Sequence, residues 1–372
     1  MQATVQQLEQ DIAAHPGDAL LWIQLARTHI TLKEPLKARE AIRRAELAAK
    51  QQPEIQHALA LYYAQNGNRK RAAELELAFA RSPKADSFAP ARAAFLCAES
   101  GLTKDAIVMG ELAITRQDRG DLRALLAKLY LSSGQPEKAT LHFRQWILLE
   151  PYLEQAYVDF SASLLQQGRF VDALPILEDA KIKFDKSPQI ILSLGVTYYG
   201  MRRFPEAAAT FLRVIDFAPT VEQPYLFLAR MLDQLDAFMP EILKRFSAWN
   251  DADKTSNQPP FVYAKALLAA GQSKQEAEAL LQESIRRNNK FWAAHFELGT
   301  LLDSRRNWAG ARSSLETAIS LSPNQAAPHY RLARVYDRLN LPVKAAEERK
   351  KHAAILASTK LTGGMGGGEP ID

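Results

Sequence analysis

The feature that most constrains this chain is a slot for a very small side chain that returns about every 34 residues. Along the sequence the slot reads Ala26, Ala60, Ala94, Ala127, Ser161, Gly195, Ala229, Ala264, Gly299 and Ala333. Twelve positions after each comes a second slot: Ala38, Ala72, Ala106, Ala139, Ala173, Ala207, Glu241, Glu276, Ala311 and Ala345. The two exceptions are consecutive, and Ala277 lies one place beyond the second, where a single inserted residue would put it. One register held over most of 372 residues means a single supersecondary unit copied along the chain.

The unit reads as a helical hairpin. Apolar side chains recur at helical spacing over residues 192–200 (Leu194, Val196, Tyr198) and again over 207–217 (Phe211, Val214, Ile215). Gly200 to Pro205 carries turn chemistry, with Pro205 suited to a first helical turn, and Pro219 closes the second helix. Two antiparallel helices approach closely only where both present little bulk. Gly195 and Ala207 are therefore expected to form the contact, and Leu at either place to cost roughly 1–3 kcal/mol by overpacking.

Large residues keep the same register. One place before the tiny slot stand Leu25, Leu59, Leu126, Phe160, Leu194, Leu228, Tyr263, Leu298 and Leu332. Three places after it stand Tyr63, Tyr130, Leu164, Tyr198, Leu232, Leu267, Leu302 and Tyr336. The unit from Asp121 carries Leu126, Ala127, Tyr130, Ala139, Phe143, Trp146 and Pro151; the unit from Trp292 carries Leu298, Gly299, Leu302, Ala311, Leu315, Ala318 and Pro323. This pattern resembles that of the tetratricopeptide repeat family over residues 1 to about 355. The resemblance implies an all-α fold, a right-handed α-solenoid or superhelix of stacked antiparallel hairpins. It carries no site of its own, because the family's shared residues build the scaffold.

The organisation expected is an N-terminal cap helix or half repeat over 1–16, with Val5, Leu8 and Ile12 on one face, then about ten hairpins over 17–357. The weakest stretches are 81–90, bracketed by Pro83 and Pro90, and 240–260, where Glu241 replaces Ala and a polar run from Asn250 leads to Pro259 and Pro260. There the first helix of repeat eight is expected to begin after Pro260. The last unit holds Arg349 and His352 where earlier units are apolar, as a terminal helix must if no further repeat covers it. Residues 358–372 are rich in Gly and expected to be disordered.

Composition removes several classes of function. One Cys allows no internal disulfide and no zinc cluster; Cys97 falls in a slot that elsewhere holds Tyr or Leu, so it reads as a core thiol. The seven His are scattered, and no nucleophile-elbow, phosphate-loop or zinc-protease motif occurs. His295 and His329 share the slot of Trp22, Tyr157 and Tyr225, which favours packing over metal binding. No catalysis, cofactor, metal or small-molecule substrate is expected. No run of 18 apolar residues suggests a membrane span. The first residues lack a basic-then-apolar leader, which points to the cytoplasm; a chain from which a leader had been removed would read the same way, leaving the periplasm as the alternative.

The family resemblance implies a concave wall built by the first helix of each hairpin. Its groove-facing places lie six and three before the tiny slot, and one, four and five after it. Six before, four consecutive repeats give Gln155, Gln189, Gln223 and Gln258. Three before come Val158, Leu192, Leu226, Phe261, Phe296 and Tyr330; one after come Val196, Arg230, Lys265 and Arg334; four after comes Tyr199. Gln amides can bond a peptide backbone, apolar walls take side chains, and Lys and Arg take carboxylates. The expected activity is a non-catalytic adaptor or scaffold. Its groove would receive a partner peptide or helix bearing apolar anchors beside acidic residues, within the assembly of a complex. Relatives that clamp chaperone tails direct Lys and Asn into the groove; the place after the tiny slot never holds Asn here, so that clamp is rejected. The rival class is RNA binding by helical repeats, against which stands a near balance of 47 basic and 42 acidic residues.

Overall fold

The computed structural model describes residues 2–49 and 52–361. All regular structure among them is helical. A first helix, α1 (Gln2–Ala14), precedes α2 (Ala19–Thr31), α3 (Pro35–Ala49), α4 (Pro53–Gln65), α5 (Arg69–Ala80), α6 (Ala89–Glu99), α7 (Thr103–Arg116), α8 (Gly120–Ser132), α9 (Pro136–Leu149) and α10 (Glu154–Gln166). There follow α11 (Phe170–Lys183), α12 (Pro188–Gly200), α13 (Phe204–Phe217), α14 (Gln223–Arg230), α15 (Met239–Ala252), α16 (Gln258–Ala269), α17 (Lys274–Arg287), α18 (Trp292–Ser304), α19 (Trp308–Leu321), α20 (Ala326–Arg338) and α21 (Pro342–Leu361). The molecule is an all-α helical-repeat solenoid, organised as two compact units, residues 1–163 and 164–372, whose boundary falls inside α10.

The small-residue slots are the buried seams of the hairpins. Ala26, Ala94, Ala127, Ser161, Ala264 and Ala333 have no exposed surface, nor do Ala72, Ala106, Ala139, Ala173, Ala207, Ala311 and Ala345. In repeat eight the buried residue is Ala277, with Glu276 exposed, as one inserted residue requires. The contact that demands glycine differs from the expected one. A Cβ on Gly195 would lie 2.6 Å from the ring of Phe211, one turn beyond Ala207, and a Cβ on Gly299 would lie 2.7 Å from Leu315 Cγ. The missing side chain thus makes room for the large residue of the second helix, and the alanine lets the backbones come close enough for that to matter.

Two further columns fix the turns. Seven residues after the tiny slot, nine of the ten units place a residue in the left-handed region: Gly67, Gly101, Gly134, Gly168 and Gly271, and at the same register Lys33, Arg202, Arg306 and Asn340 with φ of 57–61°. This residue reverses the chain from first helix to second. Four residues before the tiny slot, Trp22, Tyr157, Tyr225, His295 and His329 each reach the carbonyl six residues upstream, at 3.1, 3.2, 3.0, 3.1 and 2.9 Å. A carbonyl only accepts, so each polar tip donates. The slot of His295 and His329 is therefore a latch on the preceding inter-repeat turn.

Repeat seven departs from the pattern, at a place other than the one expected. Its first helix, α14, has only eight residues; two 3₁₀ turns, Leu232–Gln234 and Asp236–Phe238, take the place of its second half and of the tight turn. Glu241 in the second slot is exposed, and the residue buried there is the next one, Ile242, not an alanine. The irregularity lies at 231–238; the expected span 240–260 holds regular α15 and the start of α16. The expectation that repeat eight's first helix begins after Pro260 is also corrected. It begins at Gln258, with Pro259 and Pro260 in its first turn, where a proline's missing N–H has no helical partner to lose. The other stretch, 81–88, is a connection between α5 and α6.

The ends follow the same logic. Leu8 and Ile12 of α1 are buried in one apolar cluster with Ile23, Leu25 and Ile42. On α21 Arg349 is exposed and pairs with Asp337, while Glu348 turns inward to His329. The helix continues to Leu361, past the Ala357 expected to end it; the rest of the glycine-rich segment, 362–372, lies outside the described residues. Cys97 is fully buried, and burial pushes its thiol up to about 11, which leaves it a core residue without thiolate character at neutral pH.

Candidate interaction site on the first-helix face

In the second unit a cavity of about 350 Å³ opens between α14, α16 and the starts of α18 and α20. Its floor is apolar: Leu226 from α14, Phe261 and Val262 from α16, Phe291 and Trp292 at the start of α18, and Leu321 at the end of α19. Phe261 and Phe291 meet edge to face with ring centroids 4.9 Å apart. Around this floor stand the amides of Gln258, Asn288 and Gln325 and the cations Arg230, Lys265 and Lys290. No carboxylate is among the residues that line it. The helices α18 and α20 open with Phe291 and Gln325 at their N-caps, neither of which supplies a side-chain cap, so their first amides keep donor capacity at this edge.

The cations are positioned by neighbouring rings. Arg230 lies 5.9 Å from the ring of Phe227 and Lys265 lies 5.6 Å from that of Phe261. Lys265 also approaches Glu297 at 3.7 Å, a loose pair whose acid stands outside the cavity lining. Lys290, exposed on the connection between α17 and α18, forms no ion pair among the described residues.

Of the residues expected on the groove, this cavity brings together Leu226, Arg230, Gln258, Phe261 and Lys265. Leu192, Val196 and Tyr199 are half-buried and pack on the core, Tyr199 edge-on to Phe204 and Phe227 at 6.0 and 5.2 Å. They form wall more than open groove. Phe296 is half-buried beside Trp292, while Tyr330 is exposed between His352 and Arg334. Gln189 and Gln223 are exposed. Gln155 and Val158 belong to the first unit, where the Gln155 amide donates to Asp159 and Lys128 pairs with the same carboxylate at 2.8 Å. The glutamine column is thus not one continuous ladder.

The sequence reading missed Asn288, Lys290, Phe291 and Gln325, which come from the connections between hairpins, and Trp292, the first residue of α18. It searched only the first-helix faces, whereas the stack carries these connections to the groove edge. The one available signal was the run from Asn288 to Trp292, basic and aromatic within five residues.

A second cavity of about 720 Å³ lies elsewhere in the same unit, between α13, α14 and α15, over Ile215, Tyr225 and Trp249. Its rim is locked by Arg245, which binds Asp216 through both carboxylate oxygens and also Glu241. Among the described residues no group of three or more His, Cys, Asp or Glu could hold a metal, and no helix is long and apolar enough to cross a membrane.

Comparisons with known proteins agree with this architecture. The family model described as tetratricopeptide repeat matches residues 158–222 and 263–326, leaving out the irregular seventh unit between them. Intraflagellar transport protein 70A of Danio rerio is 25% identical over 173 residues, covering 46% of this chain and 26% of that protein. The chain therefore matches about a quarter of the length of that curated relative. Among solved structures, the C-terminal part of a TPR repeat-containing protein from Cytophaga hutchinsonii superposes with a TM-score of 0.50 at 16% identity, covering 73% of this chain and 98% of that one. Yeast Tom70 gives a TM-score of 0.45 at 14% identity, over 94% and 88%.

Proposed function

The chain belongs to the tetratricopeptide repeat family, and from that premise we propose that it is a non-catalytic scaffold that receives a segment of a partner protein on the first-helix face of its second unit. The setting would be the assembly of a protein complex. The observation that carries this reading is the cavity at which Leu226, Arg230, Gln258 and Lys265 meet. It supplies the three things a peptide segment needs: apolar surface for side chains, amides that both donate and accept for backbone, and charge for orientation.

The test is hydrogen exchange on the full chain with peptides selected from a random phage-displayed library. Bound peptide should slow exchange in α14, α16 and α18 and leave α15 and α17 unchanged. Protection confined to the second helices would defeat the reading. So would a chain that selects no peptide yet retards labelled single-stranded RNA in a gel at physiological salt.

A further inference from the structure

Resting on that reading, we infer that the α14–α16–α18 cavity is an anchor site for one bulky apolar side chain flanked by carboxylates, so that the partner segment is acidic and aromatic or branched aliphatic at its point of attachment. Three observations converge on that chemistry. The lining carries Arg230, Lys265 and Lys290 and no acid, in a chain whose charges are otherwise nearly balanced. The floor is made of rings and branched chains, Leu226, Phe261, Phe291 and Leu321 among them, so an apolar side chain seated on it displaces water from apolar surface. A volume near 350 Å³ sits at the lower end of ligand pockets, which hold about 300–1,000 Å³, and suits one large side chain with its flanking backbone.

The choice of an acidic peptide over a phosphate-bearing polymer follows from how the cations are placed. They come one from each of three separate elements, α14, α16 and the connection before α18. Three amide side chains stand around the same floor and can answer a backbone's N–H and C=O together. Phosphate recognition calls instead for converging Arg and Lys donors on a single group.

The cavity borders the irregular repeat through Leu226, Ala229 and Arg230 of α14. α14 ends at Arg230, about one turn before the point that its neighbours α12 and α16 reach in the same register, at Gly200 and Ala269.

The experiment uses the full chain. Peptides from the random phage library are sequenced, and an enriched one is made with a fluorescein label for anisotropy. Enrichment should yield Phe, Trp or Leu next to Asp or Glu. Lys290→Glu should raise Kd about tenfold, and the Lys265→Glu/Lys290→Glu pair further, while Lys290→Arg keeps most of the affinity. Ala293→Trp, which fills the cavity from its half-buried rim, should abolish binding without shifting the thermal midpoint seen by circular dichroism. Added salt should weaken binding to wild type and have less effect on the double variant. Basic or uncharged consensus peptides overturn the inference, as does an affinity unmoved by both Lys290→Glu and Ala293→Trp. Acidic peptides that ignore those two variants but are lost with Val196→Glu would overturn the anchor while leaving the scaffold reading intact. Failure to select any peptide would remove both.

Discussion

Repeats six and seven are neighbours built from the same plan, and they end differently. In repeat six, α12 runs thirteen residues, Arg202 reverses the chain at φ 59°, and Phe211 fits into the space left by Gly195. In repeat seven, the first helix stops after eight residues, no residue near Asp236 is left-handed, and Ile242 occupies the place where its neighbours bury alanine. Closing the hairpin needs two conditions together: a slim seam and a residue willing to turn left-handed. Lacking both, the chain spends 231–238 in short 3₁₀ turns, which keep Met231, Leu232 and Leu235 buried but give up helical length. Both cavities described above border α14.

The sharpest way to break this comparison is to add bulk to each seam. Gly195→Leu forces carbon into the Phe211 ring and should cost about 3 kcal/mol or more in guanidinium unfolding. Ala229→Leu at the matching place of the open hairpin should cost under about 1 kcal/mol. Equal losses would mean that repeat seven is as tightly closed as repeat six. Removing bulk is the converse. Ile242→Ala should destabilise by about 2–4 kcal/mol, because this side chain fills the gap that alanine and close backbones fill elsewhere; a neutral result would show the gap collapsing.

A titration separates the terminal repeat from both. Burial raises the Glu348 carboxyl, but bonds from Lys351 and His329 outweigh it and hold the group below its ordinary 4.5. A depressed carboxylate contributes stability above its unfolded value and loses it as pH falls through the folded one. The thermal midpoint should therefore drop below about pH 4.5, more steeply in wild type than in Glu348→Gln, whereas a parallel acid limb would rule the pair out as its cause. The smallest effect concerns the turn column. Arg202→Gly and Arg306→Gly should each stabilise by about 0.5–1 kcal/mol, since both residues hold a conformation glycine adopts freely. Asp236→Gly should gain nothing, because repeat seven makes no such turn; a gain there would imply a latent regular hairpin.

The groove was partly legible and partly not, for a reason these residues make plain. Leu226, Arg230, Gln258 and Lys265 could be found because they ride on helices whose period says which face they occupy. Lys290, Phe291 and Gln325 could not, because a connection has no period, and its position depends on how the flanking hairpins stack. The left-handed turn was visible as a glycine seven places after the tiny slot in five units, yet Lys33, Arg202, Arg306 and Asn340 hide it in four others.

By itself the sequence determined the helical hairpin, its period, its buried seams and the polar finish of α21, since each depends on side-chain size and spacing within one copy. Only the tertiary structure decided that Phe211 is what Gly195 makes room for, that two prolines open α16, and that α14, α16 and two inter-hairpin connections enclose a basic, ring-floored cavity. Those outcomes arise from contacts between copies, where small differences in helix length and turn geometry add together before any two surfaces meet.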